Sequence, residues 1–115
     1  MKTIAIKPIG KPRMTQRDKW AKRPCVLRYR EFCDEMRKKI LIFPIPLYVQ
    51  FNIAMPPSWP DKKKQAMLGT AHKQKPDIDN LSKAVMDALL QDDSIVDTLC
   101  ARKVWALKNE IIFFD

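Results

Sequence analysis

A chain of 115 residues with 22 Lys or Arg against 13 Asp or Glu carries a formal net charge of +9, and 46% hydrophobic beside 30% charged residues is the balance of a folded protein, not of a disordered polycation. That length accommodates one domain, residues 1–115, with a core of its own but no second domain. No apolar run reaches membrane-spanning length, since the longest candidate, residues 40–49, is broken by Pro44 and Pro46, and MKTIAIKPIGKPR lacks a signal-peptide segment, so a cytoplasmic protein without membrane contact is expected.

Residues 3–9 alternate, with Ile4 and Ile6 on one side, and predict a short strand ended by Pro8 and Gly10. Residues 11–30 follow as a basic, irregular stretch with eight Lys or Arg and one acid, Asp18, with Pro12 and Pro24 as breakers and Trp20 among the charges. A charge run is ordinarily a solvated loop; the missing acids favour an arm that contacts phosphates, with Arg13, Arg17 and Lys19 its candidate contacts. Residues 26–41 predict an amphipathic helix, with Tyr29, Phe32, Cys33, Met36 and Ile40 along one stripe and Arg37, Lys38 and Lys39 in the last turn, where cations suit the helix dipole.

The cleanest strand is residues 47–55, which puts Leu47, Val49, Phe51, Ile53 and Met55 on one face and is expected at the centre of a sheet. Pro56 and Pro57 stop it. Ser58 is positioned to cap a short helix that runs to Gly69, with Lys62, Lys63 and Lys64 either a solvated face or a phosphate clamp. The loop of residues 70–75 adds Lys73 and Lys75 as candidate nucleic-acid contacts. A second helix spans about residues 79–90, buried through Leu81, Ala84, Val85, Ala88 and Leu89, with Asp79, Lys83 and Asp87 stacked on its opposite face. An acidic turn at residues 91–93 leads into a strand of residues 94–105, and a hairpin turn at residues 106–109 into a last strand of residues 110–114.

The three cysteines, Cys25, Cys33 and Cys100, are odd in number and contain no C-x-x-C pair, so they signal neither a disulfide framework nor a zinc site. They read as small hydrophobes in a reducing compartment, a thiol activated by the single histidine, His72, being the remote alternative.

The chemistry concentrates in residues 75–97, KPDIDNLSKAVMDALLQDDSIVD, which hold six of the 13 acids. Carboxylates gathered in a basic protein suit a metal-dependent enzyme acting on a polyanion, because cations attract the substrate while carboxylates hold the metal. Asp77 and Asp79 flank Ile78 where an extended segment enters a helix; with Ile78 in the core, both carboxylates would emerge on the other side. Helix capping explains one of them as well, but not the second, and it leaves the Asp92 and Asp93 pair unexplained. Oxygen ligands without His or Cys nearby point to Mg²⁺, or Mn²⁺ in its place, and a calcium EF-hand loop fails because Leu81 and Ser82 stand where that loop needs an oxygen ligand and its glycine. Spacing alone leaves Lys83 equally a surface partner of Asp79 and Asp87 or a group that offsets charge on an attacked phosphate.

KPDIDNLSKAVMDAL followed by QDDSIVD resembles the signature of the RusA-type Holliday-junction resolvases of bacteria and their phages: the D-x-D-N-L-x-K order, an aspartate four residues after the lysine, and a D-D pair ahead of a strand. MPPSWPDKKKQAMLGTAHKQKPD is similar to the phage-associated members in particular, and the predicted elements follow the family's order over nearly the whole chain. The resemblance implies an α+β fold in two layers, a mixed sheet packed with helices. It implies a homodimeric, Mg²⁺-dependent endodeoxyribonuclease that cuts four-way DNA junctions symmetrically in recombination and repair, with no small-molecule cofactor. Carried over residue by residue, the metal-binding acids fall on Asp77, Asp79 and Asp93, with Asp92 the alternative to Asp93, and the catalytic lysine falls on Lys83. A non-catalytic basic nucleic-acid-binding protein is the rival reading, since it needs the cations but not the aspartates.

Overall fold

The computed structural model describes residues 1–13, 23–40 and 45–114. The alternation of residues 47–55 produces strand β2 (Leu47–Ala54), whose Leu47, Val49 and Phe51 are at most 2% exposed while Tyr48 between them is 37% exposed. With β1 (Lys2–Ile4), β3 (Leu99–Ala106) and β4 (Glu110–Phe114) it forms a four-stranded sheet of order β1-β4-β2-β3, in which β2 is an inner strand, as its pattern predicts. The sheet is mixed, because β2 runs parallel to β3 and antiparallel to β4.

Two long helices cover the face that carries Leu47, Val49, Phe51, Ile111 and Phe113. Helix α1 (Pro24–Lys39) starts with a proline in its first turn, where no N–H is needed, and buries Val26, Tyr29, Phe32, Cys33 and Met36. Between α1 and β3 lie α2 (Asp61–Met67) and α3 (Ile78–Leu89), of which α3 buries Leu81, Ala84, Val85 and Ala88 together with Ser82. The Ser82 hydroxyl donates to the Ile78 carbonyl at 2.9 Å and so meets its own polar need within the helix. Arg37 Nε donates to the Ala88 carbonyl at 2.6 Å, so a cation of α1 covers the negative end of α3. The architecture is a two-layer α+β fold.

Four local expectations need correction. Strand β1 ends at Ile4 instead of reaching residue 9, because the Ile6 N–H turns back to the Ile4 carbonyl at 3.0 Å. Ser58 does not cap α2; Pro60 holds that position without a side-chain bond, and Gly69, at φ +79°, closes the turn after the helix in a conformation open to glycine. β3 starts at Leu99 because the Asp92 carboxylate accepts from the Ser94 N–H and winds Asp93–Ile95 into a 3₁₀ turn. No β3–β4 hairpin forms. All eight residues of β3 pair with β2 along one edge of β3 and residues 69–72 bond to the other edge of β3, so β4 pairs with the far edge of β2, and residues 107–109 cross over the end of β2. There the Ala54 N–H donates to Asn109 Oδ1 at 2.9 Å and the Met55 N–H to the Ala106 carbonyl at 3.0 Å.

Of the free cysteines only Cys33 is buried; Cys25 is half-buried and Cys100 exposed. Among the described residues no helix is long and apolar enough to cross a membrane.

Candidate active site

The carboxylates of the D-x-D-N segment stand at the start of α3. Asp77 is its N-cap, in an extended conformation, and its side chain makes no capping hydrogen bond; Asp79 lies in the first turn, and both residues are exposed. Capping therefore does not consume the Asp77 carboxylate. The alternation expected across Ile78 does not extend this far, because the helix begins at Ile78 itself, which is 37% exposed and outside the core. From that residue on, side chains fan around a helix axis instead of alternating between two faces.

Asp92 and Asp93 differ in their local roles. Asp92 caps the 3₁₀ turn, its Oδ1 accepting from the Ser94 N–H at 3.0 Å, and this bond holds its carboxyl below the ordinary range. Asp93 opens the turn, exposed, with its carbonyl accepting from the Val96 N–H at 3.1 Å. Among the described residues no three His, Cys, Asp or Glu side chains are gathered as a metal would require. The donor set suits a hard divalent cation in kind, with Asp77 and Asp79 as its helix-borne part, but the third carboxylate is not drawn up to them.

Lys83, one turn beyond Asp79, lies exposed at a notch of about 410 Å³ that it lines with Lys11, Pro12, Arg13 and Asn80. The arm reaches this notch by lying close along α3. The Lys11 N–H donates to the Asn80 carbonyl at 3.4 Å, and a Cβ built at Gly10 would come within 3.2 Å of Asn80 Cβ, a tight contact that any larger residue would have to relieve by a small shift. Three cations thus border one concavity beside the two aspartates, an arrangement suited to phosphates. Arg13 is where the arm was expected to contact nucleic acid, while Arg17 and Lys19 lie outside the described residues.

Asp87 is not the surface partner of Lys83. Its Oδ2 accepts from Tyr29 Oη at 2.9 Å and pairs with Lys11 Nζ at 2.8 Å, so it ties α1 and the arm to α3. Burial raises its carboxyl, but the hydrogen bonds from Lys11 and Tyr29 and the charges of Lys11 and Lys83 outweigh that and hold it below the ordinary range. Lys83 acts on Asp87 only through its charge, which leaves its ammonium to the notch.

The segment ahead of Asp77 lies against β3. The Gly69 N–H donates to the Trp105 carbonyl at 2.8 Å, the Trp105 N–H to the Thr70 carbonyl at 3.0 Å and the His72 N–H to the Lys103 carbonyl at 3.1 Å. Half-buried Lys103 then donates from Nζ to the carbonyls of Gln74 and, at 2.7 Å, Pro76. His72 packs 4.3 Å from the Trp105 ring with Nδ1 buried and unpartnered; burial first, then the charge on Lys103, push its imidazole below the ordinary value. Trp59 sits 4.8 Å from Trp105, and Lys63 Nζ lies 4.1 Å over the Trp59 ring. Lys73 and Lys75 are exposed on the same segment, and α2 with Lys62, Lys63 and Lys64 buries no residue.

Sequence reasoning passed over Lys11, Asn80 and Lys103, and it read Tyr29 as core without its bond to Asp87. A signal existed for Lys103: in a strand that alternates Ala101, Lys103, Trp105 on the side of Val49, Phe51 and Ile53, a lysine at an inward position needs acceptors.

A scan of family models matches residues 6–113 to the family described as Endodeoxyribonuclease RusA. Comparisons with curated proteins and with solved structures gave no match.

Proposed function

The chain belongs to the RusA endodeoxyribonuclease family, whose members act on branched DNA junctions, and on that premise we propose that it resolves Holliday junctions by divalent-metal-dependent hydrolysis of phosphodiesters. The observation that carries the reading is the pair of exposed carboxylates at the start of α3, Asp77 with no capping bond, beside a notch bordered by Lys11, Arg13 and Lys83. Asp77 and Asp79, joined by Asp93, are the residues that would hold Mg²⁺ or Mn²⁺, and the capping duty of Asp92 supports Asp93 as the third. When bound, the ion supplies Lewis-acid polarisation of the phosphoryl oxygen and a more acidic water. Lys83 faces the attacked phosphate and offsets the charge that grows on it, while Lys11 and Arg13 hold a neighbouring phosphate.

Cations of the arm and of residues 73–75 contact the DNA backbone, so recognition rests on shape more than on base edges. A homodimer follows from the substrate: two sites related by a twofold axis meet the two like-oriented strands of a four-way junction. The setting for such a reaction is the cytoplasm of a bacterial or phage-infected cell.

The non-catalytic binding protein draws on one observation, that three carboxylates are not gathered. A junction-cleavage assay with Mg²⁺ separates the two. Cleavage by wild type, abolished in Asp77→Asn with junction binding retained or tightened, supports the resolvase. Wild-type protein that binds the junction and leaves it uncut across salt and protein concentrations rejects it.

A further inference from the structure

Lys103 faces the helix layer in register with Phe51, which is fully buried. An ammonium at such a position loses hydration and is stable only with acceptors at hand. Its two acceptors are the Gln74 and Pro76 carbonyls, three residues and one residue before Asp77. Upstream, backbone bonds to β3 end at His72; downstream, the helix ladder begins with the Leu81 N–H on the Asp77 carbonyl at 3.1 Å. Lys103 therefore spans the gap between two secured stretches of backbone. A fixed backbone matters there, because Asp77 has no side-chain bond to orient it.

We infer that Lys103 is a positioning residue for the Asp77 and Asp79 pair, its ammonium holding the Gln74 and Pro76 carbonyls so that the chain enters α3 at one height and in one direction. The inference rests on the reading of that pair as metal ligands. Lys103 touches neither the metal nor the substrate in this role; it acts through the backbone. Its strand places it across from the carboxylates, so the sheet sets the geometry of residues on the helix.

The test is amide hydrogen exchange of the free protein, followed by metal-dependent cleavage. Lys103→Met keeps the apolar stem and removes every donor. Exchange at residues 81–83, the first amides of the helix ladder, should accelerate by about 10-fold or more, with the amides of α1 and β2 unchanged, because a charge-assisted bond that resists local opening is gone. The Mg²⁺ concentration for half-maximal cleavage should rise by about fivefold or more, since the pair must be ordered when the ion binds, while metal-free junction binding stays within about twofold. Where the Met variant does not fold, Lys103→Gln, which keeps N–H donors on a shorter neutral stem, should fall between wild type and those limits. Unchanged exchange at residues 81–83, or acceleration shared equally by α1 and β2, overturns the inference, the second because it marks a general loss of stability. Wild-type protein that fails to cleave would overturn the functional reading, while the exchange comparison would still decide whether Lys103 orders the segment.

Discussion

Tyr29 and Asp87 stand on different helices, and the tyrosine Oη donates to Asp87 Oδ2 at 2.9 Å, the same oxygen that Lys11 Nζ meets at 2.8 Å. One carboxylate therefore secures α1, α3 and the arm that builds the notch. Burial pushes the Tyr29 phenol upward and the bond to Asp87 adds to this.

Asp87→Asn should lower stability at neutral pH by about 1 kcal/mol, the scale of a charge-assisted contact discounted for partial exposure. Because the folded carboxyl lies below its ordinary value, this stabilisation is fully present above the unfolded pKa of about 4 and is lost as pH falls through the lowered folded value. Denaturation midpoints of wild type and variant should therefore differ at pH 7 and converge in acid. A constant difference down to about pH 3 would reject the assignment.

His72 gives a second pH dependence at a higher window. Its folded pKa is lowered, so the neutral ring contributes stability that is present above the unfolded value of about 6.5 and lost as pH falls through the folded one. His72→Phe removes the unpartnered Nδ1 and the protonation together. The variant should lose less thermal stability than wild type between pH 8 and pH 5, and parallel melting curves would count against a titrating His72.

Lys83→Ala should separate chemistry from folding. The side chain is exposed and its pairing role belongs to Lys11, so stability should change by no more than about 0.5 kcal/mol. Cleavage of a four-way junction should fall by about 100-fold or more if the ammonium offsets charge on the attacked phosphate. A stable variant that cleaves at the wild-type rate would remove Lys83 from the reaction.

What could be read in advance follows the range of the forces involved. Strand β2 and both long helices were legible because burial writes a period of two or 3.6 into neighbouring residues, as in Val49 and Phe51 or Tyr29, Cys33 and Met36. The order of strands was not, because whether residues 106–109 make a hairpin depends on which edge of β2 is free, a competition between β3 and β4 that neither strand encodes alone. The same holds at the site. Asp77, Asp79 and Lys83 carry a linear motif, whereas Lys11 meets Asp87, and Lys103 meets Pro76, across long stretches of chain with no pattern to announce them.

β4 lies between β1 and β2, with Thr3 opposite Ile112 on one side and Val49 opposite Phe113 on the other. During synthesis the ribosome therefore releases the arm, α1, β2 and α3 while the strand that joins β1 to them is still unmade. Until β4 is inserted, one edge of β2 and both edges of β1 are open for pairing, a state exposed to aggregation. The arm that follows β1 is anchored differently, since Lys11 meets Asn80 and Asp87 on α3, so the notch depends on α3 and not on the late strand. Closure over so long a separation is slow compared with helix formation, which orders the events: α1 and α3 first, and the joining of β1 to β2 through β4 last.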